Sequence, residues 1–253
     1  MTDDPFFIGW LPIPAAYRRF QAVLVALIFF SAIVLALTVA FRQRDPGLAR
    51  SPVDQVCSIE GIMLAHPYAM LLVPGATPAE SVTTYLLVET GKFGAVPRAT
   101  PYANRFVRVT GTLLERDGRK MVELAEGDQA IQILKDRETP AVVTLPNGVI
   151  HEEVTLAGEI IDSKCYLGAM KPGGGKTHKA CAMLCISGGI PPMLVTHNAA
   201  GHATYYLLTA DDDGPATAIV LPYVGDQVTL TGRLKQQGDL HVLAIVAAAI
   251  TRR

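Results

Sequence analysis

Charge, aromatic rings and cysteine are all in short supply in this chain, and each shortage excludes something. The 22 basic and 23 acidic side chains leave a formal net charge of −1 over 253 residues. No strong field therefore directs the chain to nucleic acid or to an acidic surface. Aromatic residues make up 7 %, with a single tryptophan, too few for the ring-lined basic groove on which bases stack. Nucleic acid is not an expected partner. Four cysteines are few for a disulfide scaffold of this length. No Ser/His/Asp arrangement, no paired-carboxylate signature and no glycine-rich dinucleotide fingerprint occurs at recognisable spacing. An ordinary hydrolase, transferase or dehydrogenase is not supported, and whether the chain is an enzyme stays open.

What the chain does have is apolar residues: 50 % of the total, with a mean hydropathy of +0.30. Residues 20–41 form an uncharged run of 22, long enough to cross a hydrocarbon core of about 30 Å at 1.5 Å per residue. The expected organisation starts with a tail at 1–19, a transmembrane helix at 20–41 and a linker at 42–54. Phe6, Phe7, Trp10 and Tyr17 in the tail suit a membrane interface, and Pro46, Gly47 and Pro52 mark the linker. A cleaved signal peptide fits less well: the run is long, and Val39-Ala40-Phe41-Arg42 is a poor cleavage site. Arg18 and Arg19 flank one end; Arg42, Arg44 and Arg50 flank the other. The arginine count leans toward a cytoplasmic C-terminus. The layout of short tail, single anchor and large β-rich body leans the other way. The expectation taken is a single-pass protein of the cell inner membrane with its C-terminal domains in the periplasm or outside.

The body repeats itself. Thr84-Tyr85-Leu86-Leu87 precedes the alternating run Val107-Arg108-Val109-Thr110-Gly111-Thr112-Leu113. Tyr205-Tyr206-Leu207-Leu208 precedes Val228-Thr229-Leu230-Thr231-Gly232-Arg233-Leu234. Tyr85 to Gly111 and Tyr206 to Gly232 are both 26 residues. A turn (Asp117-Gly118; Gly238-Asp239) and a further apolar strand follow each glycine. Alternation predicts half-buried strands, and a glycine inside them predicts a sharp bend. The VxVTGxL motif followed by a glycine turn resembles the oligonucleotide/oligosaccharide-binding (OB) fold as it occurs in exported bacterial proteins. The resemblance implies a mainly β protein with two tandem small barrels, at 55–140 and 150–253. An SH3-like barrel or a β-sandwich is the alternative architecture.

The two copies differ at one place. Gly61 to Tyr85 is 24 residues, whereas Gly158 to Tyr206 is 48. The extra material is a Cys-rich insertion, 163–189, between the first two strands of the second copy. The first copy lacks it, so the barrel is expected to close without it. Long insertions on a β-scaffold usually either carry function or are disordered, and the ordered spacing of the cysteines here favours function. This one holds Cys165, Cys181 and Cys185. Residues 180–186 predict a helix, with Thr177 as N-cap and Gly188 as C-terminal stop. On it His178, Cys181 and Cys185 share one face, and Cys165 ends the preceding strand within reach of them. Gly175-Lys176-Thr177 imitates the end of a P-loop, but Met170 stands where that loop needs glycine.

Three readings of these residues stay open. Cys165, His178, Cys181 and Cys185 form a metal set of the kind that suits zinc, copper or an iron–sulfur centre, with a later histidine, His197 or His202, as the alternative to His178. The Cys181-x-x-x-Cys185 spacing resembles the copper pair of Sco-type assembly proteins and of the binuclear copper centre of cytochrome oxidase. No proline follows Cys185, however, and Gly189 stands where the oxidase pattern has histidine. Alternatively Cys165 forms a disulfide with Cys181 or Cys185, the remaining thiol staying free or meeting Cys57. In the third reading one thiol is redox-active, its pKa depressed by His178, the lysines and the helix N-terminus. The acidic run Asp211-Asp212-Asp213-Gly214 reads as a solvated turn, not a calcium loop. The expected function is a membrane-anchored accessory or binding protein, a subunit or assembly factor of a membrane redox complex. The alternative is a thiol- or metal-dependent electron-transfer or copper-delivery protein.

Overall fold

The computed structural model describes residues 15–42, 56–75, 82–134 and 150–253. Most of the tail and, apart from Arg42, the expected linker lie outside the described residues. The chain divides into two compact units, 1–46 and 47–253.

The first unit contributes helix α1 (Ala15–Arg42), with no buried residue along its 28 positions. It is long and apolar enough to cross a membrane. It begins five residues before the expected start at Phe20. Arg18, Arg19 and Arg42 stay helical because nothing at these positions breaks the backbone, so about 42 Å of helix at 1.5 Å per residue carries its charges at the ends. The Thr38 hydroxyl donates to the Val34 carbonyl (2.7 Å), which satisfies the polar group within the helix.

In the second unit two copies of one five-stranded closed barrel follow each other. The first comprises β1 (Val56–Leu64), β2 (Met70–Val73), β3 (Thr83–Val88), helix α2 (Val96–Ala99), β4 (Phe106–Arg116) and β5 (Arg119–Leu124), with a short β6 (Ile131–Ile133) beyond β4. Its strand order is β1-β2-β3-β5-β4, and β4 returns to β1. The second comprises β7 (Ile150–Asp162), helix α3 (Lys179–Ser187), β8 (Pro192–His197), β9 (Ala203–Ala210), helix α4 (Thr217–Val220), β10 (Gln227–Gln237), β11 (Leu240–Ile245) and β12 (Ile250–Arg252). Its order, β7-β8-β9-β11-β10 and back to β7, is the same. In each barrel the third and fifth strands run parallel and the other neighbours antiparallel. These are two OB-like barrels, as the repeat predicts.

The repeated glycine explains how each barrel closes. β4 pairs with β1 along its first half and with β5 along its second, and the halves overlap at Gly111, which faces both Cys57 and Leu124. A methyl group at Gly111 would lie 2.2 Å from the Glu123 carbonyl oxygen; at Gly232 it would lie 2.5 Å from that of Ala244. Only a residue without Cβ allows the strand to bend this tightly.

Alternation sorts most of the buried side chains between three large cores, with a small fourth cluster at Ile62, Leu72 and Phe106. Leu71, Leu87 and Val122 point into the first barrel. Leu194, Leu208 and Leu243 point into the second. Their neighbours on the opposite faces, Met70, Leu86 and Met121 with Met193, Leu207 and Val242, meet in one core shared by both barrels. Each such buried side chain contributes about 1.5–3 kcal/mol. The barrels also clasp reciprocally. Asp239, in the β10–β11 turn, accepts the Thr84 N–H (2.7 Å). Asp117, in the β4–β5 turn, accepts the Tyr205 hydroxyl (2.6 Å). Thr84 and Tyr205 are equivalent positions, directly before Tyr85 and Tyr206, so the two contacts relate as a pseudo-two-fold pair.

Candidate functional site

The connection between β7 and β8 turns on Asp162, the last residue of β7. Asp162 is fully buried. Its Oδ1 accepts the Cys165 N–H (2.8 Å), and its Oδ2 lies 3.0 Å from His178 Nε2. One carboxylate thus fixes both ends of the segment that follows. Cys165–Ala169 forms a single wide helical turn, so Cys165 opens this turn after the strand instead of ending the strand. The glycine run then folds back over it. A Cβ at Gly173 would meet the Cys165 carbonyl oxygen at 2.7 Å, which gives the run a packing role and not a phosphate-binding one.

Helix α3 starts after His178, which occupies the cap position without a side-chain cap. The expected cap at Thr177 is therefore corrected. The His178 ring is spent on Asp162 instead, and it is 4 % exposed. Gly188 closes the helix as expected. Cys165 and Cys185 are buried, and Cys181 is half-buried beside Met170, whose Sδ is 3.9 Å from Cys181 Sγ.

Two overlapping groups of ligand atoms result. Those of Cys165, His178 and Cys181 lie within 4.8 Å of one another, as do those of Asp162, Cys165 and Cys185. All four cysteines are free thiols. The structure shows no disulfide between Cys165 and Cys181 or Cys185: Cys165 meets Cys185 through a thiol hydrogen bond, and Cys181 is held by other partners. Cys57 is apart from the group. It sits in β1 and its thiol donates to the Gly111 carbonyl (3.3 Å), its pKa pushed up by burial. His197 and His202 are exposed and belong to neither group. The acidic run is a paired turn: Asp211 meets Arg233, Asp213 meets Lys235, and Asp212 accepts the Gly214 N–H.

The first barrel supplies the charge. Lys92, in the loop between β3 and α2, places Nζ 2.8 Å from Cys181 Sγ and 3.5 Å from Cys185 Sγ. Lys164 holds that loop: its Nζ donates to the carbonyls of Glu89 (2.8 Å) and Gly91 (2.7 Å) and pairs with Glu123 (2.8 Å). On the other side the Gly94 N–H donates to the Gly188 carbonyl (2.9 Å). The hydrogen bond from the Cys165 thiol, with Lys92 assisting against burial, pulls Cys185 down to about 7. The same hydrogen bond, burial and the Asp162 carboxylate push Cys165 far up. Contact with Cys181 raises Lys92. The arrangement is a pair of hydrogen-bonded cysteines, one of them lowered toward neutrality, with a cation beside it and a histidine held by Asp162 behind it.

Sequence reasoning missed Lys92 because it lies 89 residues from Cys181 in a loop with no local signature. Asp162 was within the conspicuous stretch, three residues before Cys165, and its acceptor role carried no pattern. Compared with known proteins, the chain matches no family model, no curated protein and no solved structure.

Proposed function

We propose that the protein is a membrane-anchored accessory protein that holds one soft metal ion, zinc or copper(I), on its second barrel and serves a membrane redox complex outside the cytoplasm. The observation that carries this reading is the grouping of the Cys165, His178 and Cys181 ligand atoms within 4.8 Å. Thiolate and imidazole are the donors that zinc and copper(I) prefer, and thiolates on a shared zinc sit about 3.8 Å apart for bonds near 2.3 Å. Cys185 belongs to the overlapping group with Asp162 and Cys165 and is the nearest further thiolate donor for such an ion. Grouping this tight suits a single ion better than an iron–sulfur cluster, whose ligands spread around several irons. Asp162 pairs with Nε2 of His178, a carboxylate contact of the kind common behind ligating histidines. Such an ion would hold the connection together and offer a soft, polarising contact to a partner.

Three exposed apolar side chains adjoin the site and support the partner contact: Phe93, Met170 and Leu184. Phe93 also lines a cleft of about 500 Å³ next to Gly188 and Gly189. The helix α1 supplies the anchor.

Metal analysis and thiol counting on the full chain in detergent test the reading. One zinc or copper per chain, lost in Cys185→Ser, supports it. A metal-free protein that also purifies from membranes without a partner removes it. A second reading, dithiol exchange, is favoured by one observation, the Cys185 thiol near neutrality beside Lys92. It predicts that the metal-free chain exchanges a thiol with a small disulfide in a reaction that depends on Cys185 and is lost in Cys185→Ser.

A further inference from the structure

We infer that Lys92 and Cys181 form an oxidative cross-link between the two barrels, a covalent Nζ–O–Sγ bridge through one oxygen atom. The inference goes beyond the metal reading and stands without it. Its first support is separation. Charge-assisted N–H···O contacts span about 2.7–2.9 Å, and sulfur is a larger acceptor than oxygen. Lys92 Nζ is nonetheless 2.8 Å from Cys181 Sγ, closer than a hydrogen bond to sulfur requires and matched to two atoms that share a bridging oxygen.

The second support is how firmly the lysine is placed. Two hydrogen bonds from Lys164 hold the carbonyls of Glu89 and Gly91. A Cβ at Gly188 would come within 1.8 Å of the Lys92 carbonyl oxygen, and one at Gly94 within 2.1 Å of that of Gly189. The backbone of one barrel lies directly against that of the other, and the lysine side chain reaches over the cysteine helix from a fixed base. The third support is access. Cys165 and Cys185 are 5 % and 1 % exposed, whereas Cys181 is half-buried, so a dissolved oxidant meets Cys181 first.

The reaction balances with dioxygen as oxidant. One amine, one thiol and one dioxygen give the bridged pair and one water. Nitrogen and sulfur each lose two electrons. One oxygen atom becomes the bridge; the other leaves as water with two of the three hydrogens, and the third hydrogen stays on nitrogen. Four electrons and four protons from two equivalents of a dithiol reductant restore the lysine and the thiol and release the bridge as water. Because the bridge consumes the Cys181 sulfur, a bridged chain cannot use that atom for a metal.

The experiment is mass spectrometry of the full chain in detergent, stripped with a chelator and kept in air or under nitrogen. The air sample should gain one oxygen and lose two hydrogens, lose one titratable thiol, and give a peptide joining the Lys92 and Cys181 segments. A dithiol reductant should reverse all three changes, and Lys92→Arg, which keeps the charge, should show none. An air-treated chain with Lys92 unmodified overturns the inference, whether Cys181 is free, oxidised or in a disulfide. Metal uptake measured under nitrogen is a separate readout: a chain that bridges but binds no metal sinks the earlier reading alone, and one that binds metal but never bridges sinks this one alone.

Discussion

The two barrels share their strand order, their closing glycine and their reciprocal turns, yet join their first two strands very differently. In the first, β1 ends at Leu64 and β2 starts at Met70, leaving five residues; in the second, β7 ends at Asp162 and β8 starts at Pro192, leaving 29, so the excess is 29 − 5 = 24. All the chemistry-bearing residues of the second barrel lie at this excess. It is nevertheless rooted in the fold. Ala182 and Ile186 pack into the interior of the second barrel, and Leu167 and Ile190 into the core between the barrels. The first barrel shows that the topology closes without such a segment. The second shows that, once present, the segment becomes part of what holds the barrel together.

The sharpest way to break this comparison is to replace residues 163–191 with the five-residue connection 65–69. The chimera loses Leu167, Ile186 and Ile190, each costing about 2–5 kcal/mol when truncated, against a net stability of about 5–15 kcal/mol. No cooperative unfolding transition is expected by circular dichroism. A chimera that unfolds cooperatively near the wild-type midpoint would show the segment to be an ornament.

The next effect is smaller and more local. Asp162 aligns with Ala65, so a barrel closes with alanine there. Asp162→Ala should still cost roughly 2–5 kcal/mol, because it orphans the Cys165 N–H and the His178 ring, each worth about 1–3 kcal/mol when buried unpaired. A urea midpoint within error of wild type would remove Asp162 from the account.

How much of this was visible in the residues follows the same divide. The duplication and the barrel order were legible, because a glycine inside an alternating run and a tyrosine at constant distance are local signals of a closing strand. The shared Pro101-Tyr102 and Pro222-Tyr223 after the short helices were equally visible and went unread. The helix around Cys181 and Cys185 was legible from its small and apolar residues, but its cap was not: Thr177 is the better capping residue type, and tertiary contact with Asp162 placed His178 at the helix start instead. Lys92 was out of reach of any local pattern, since only the packing of one barrel on the other brings it to the thiols.

The pH response separates the barrels further. Cys185 is held below the usual thiol value, at about 7, so its stabilising contribution is present above the unfolded-state pKa and is lost as pH falls through about 7. Cys165 is raised, so its contribution is present below the unfolded-state value near 9.0 and is lost as pH rises above it. The reduced, metal-free chain should therefore gain stability from pH 7 to pH 9 and lose it beyond, and Cys185→Ser should flatten the rise. A denaturant midpoint independent of pH across this range contradicts the thiol pair. The smallest effect belongs to the first barrel. Its surface ion pair Arg108–Glu60 (2.7 Å) is replaced in the second by Thr229 opposite Ala157, so Glu60→Ala should change stability by less than about 1 kcal/mol.

The central claim is that the long connection of the second barrel builds a thiolate–imidazole site for one ion. Cobalt(II) titration of the reduced, metal-free full chain under nitrogen tests it most directly. The account predicts intense visible bands of tetrahedral cobalt with thiolate charge transfer, saturating at one ion per chain and absent in Cys181→Ser. Weak six-coordinate bands, or none, would contradict it.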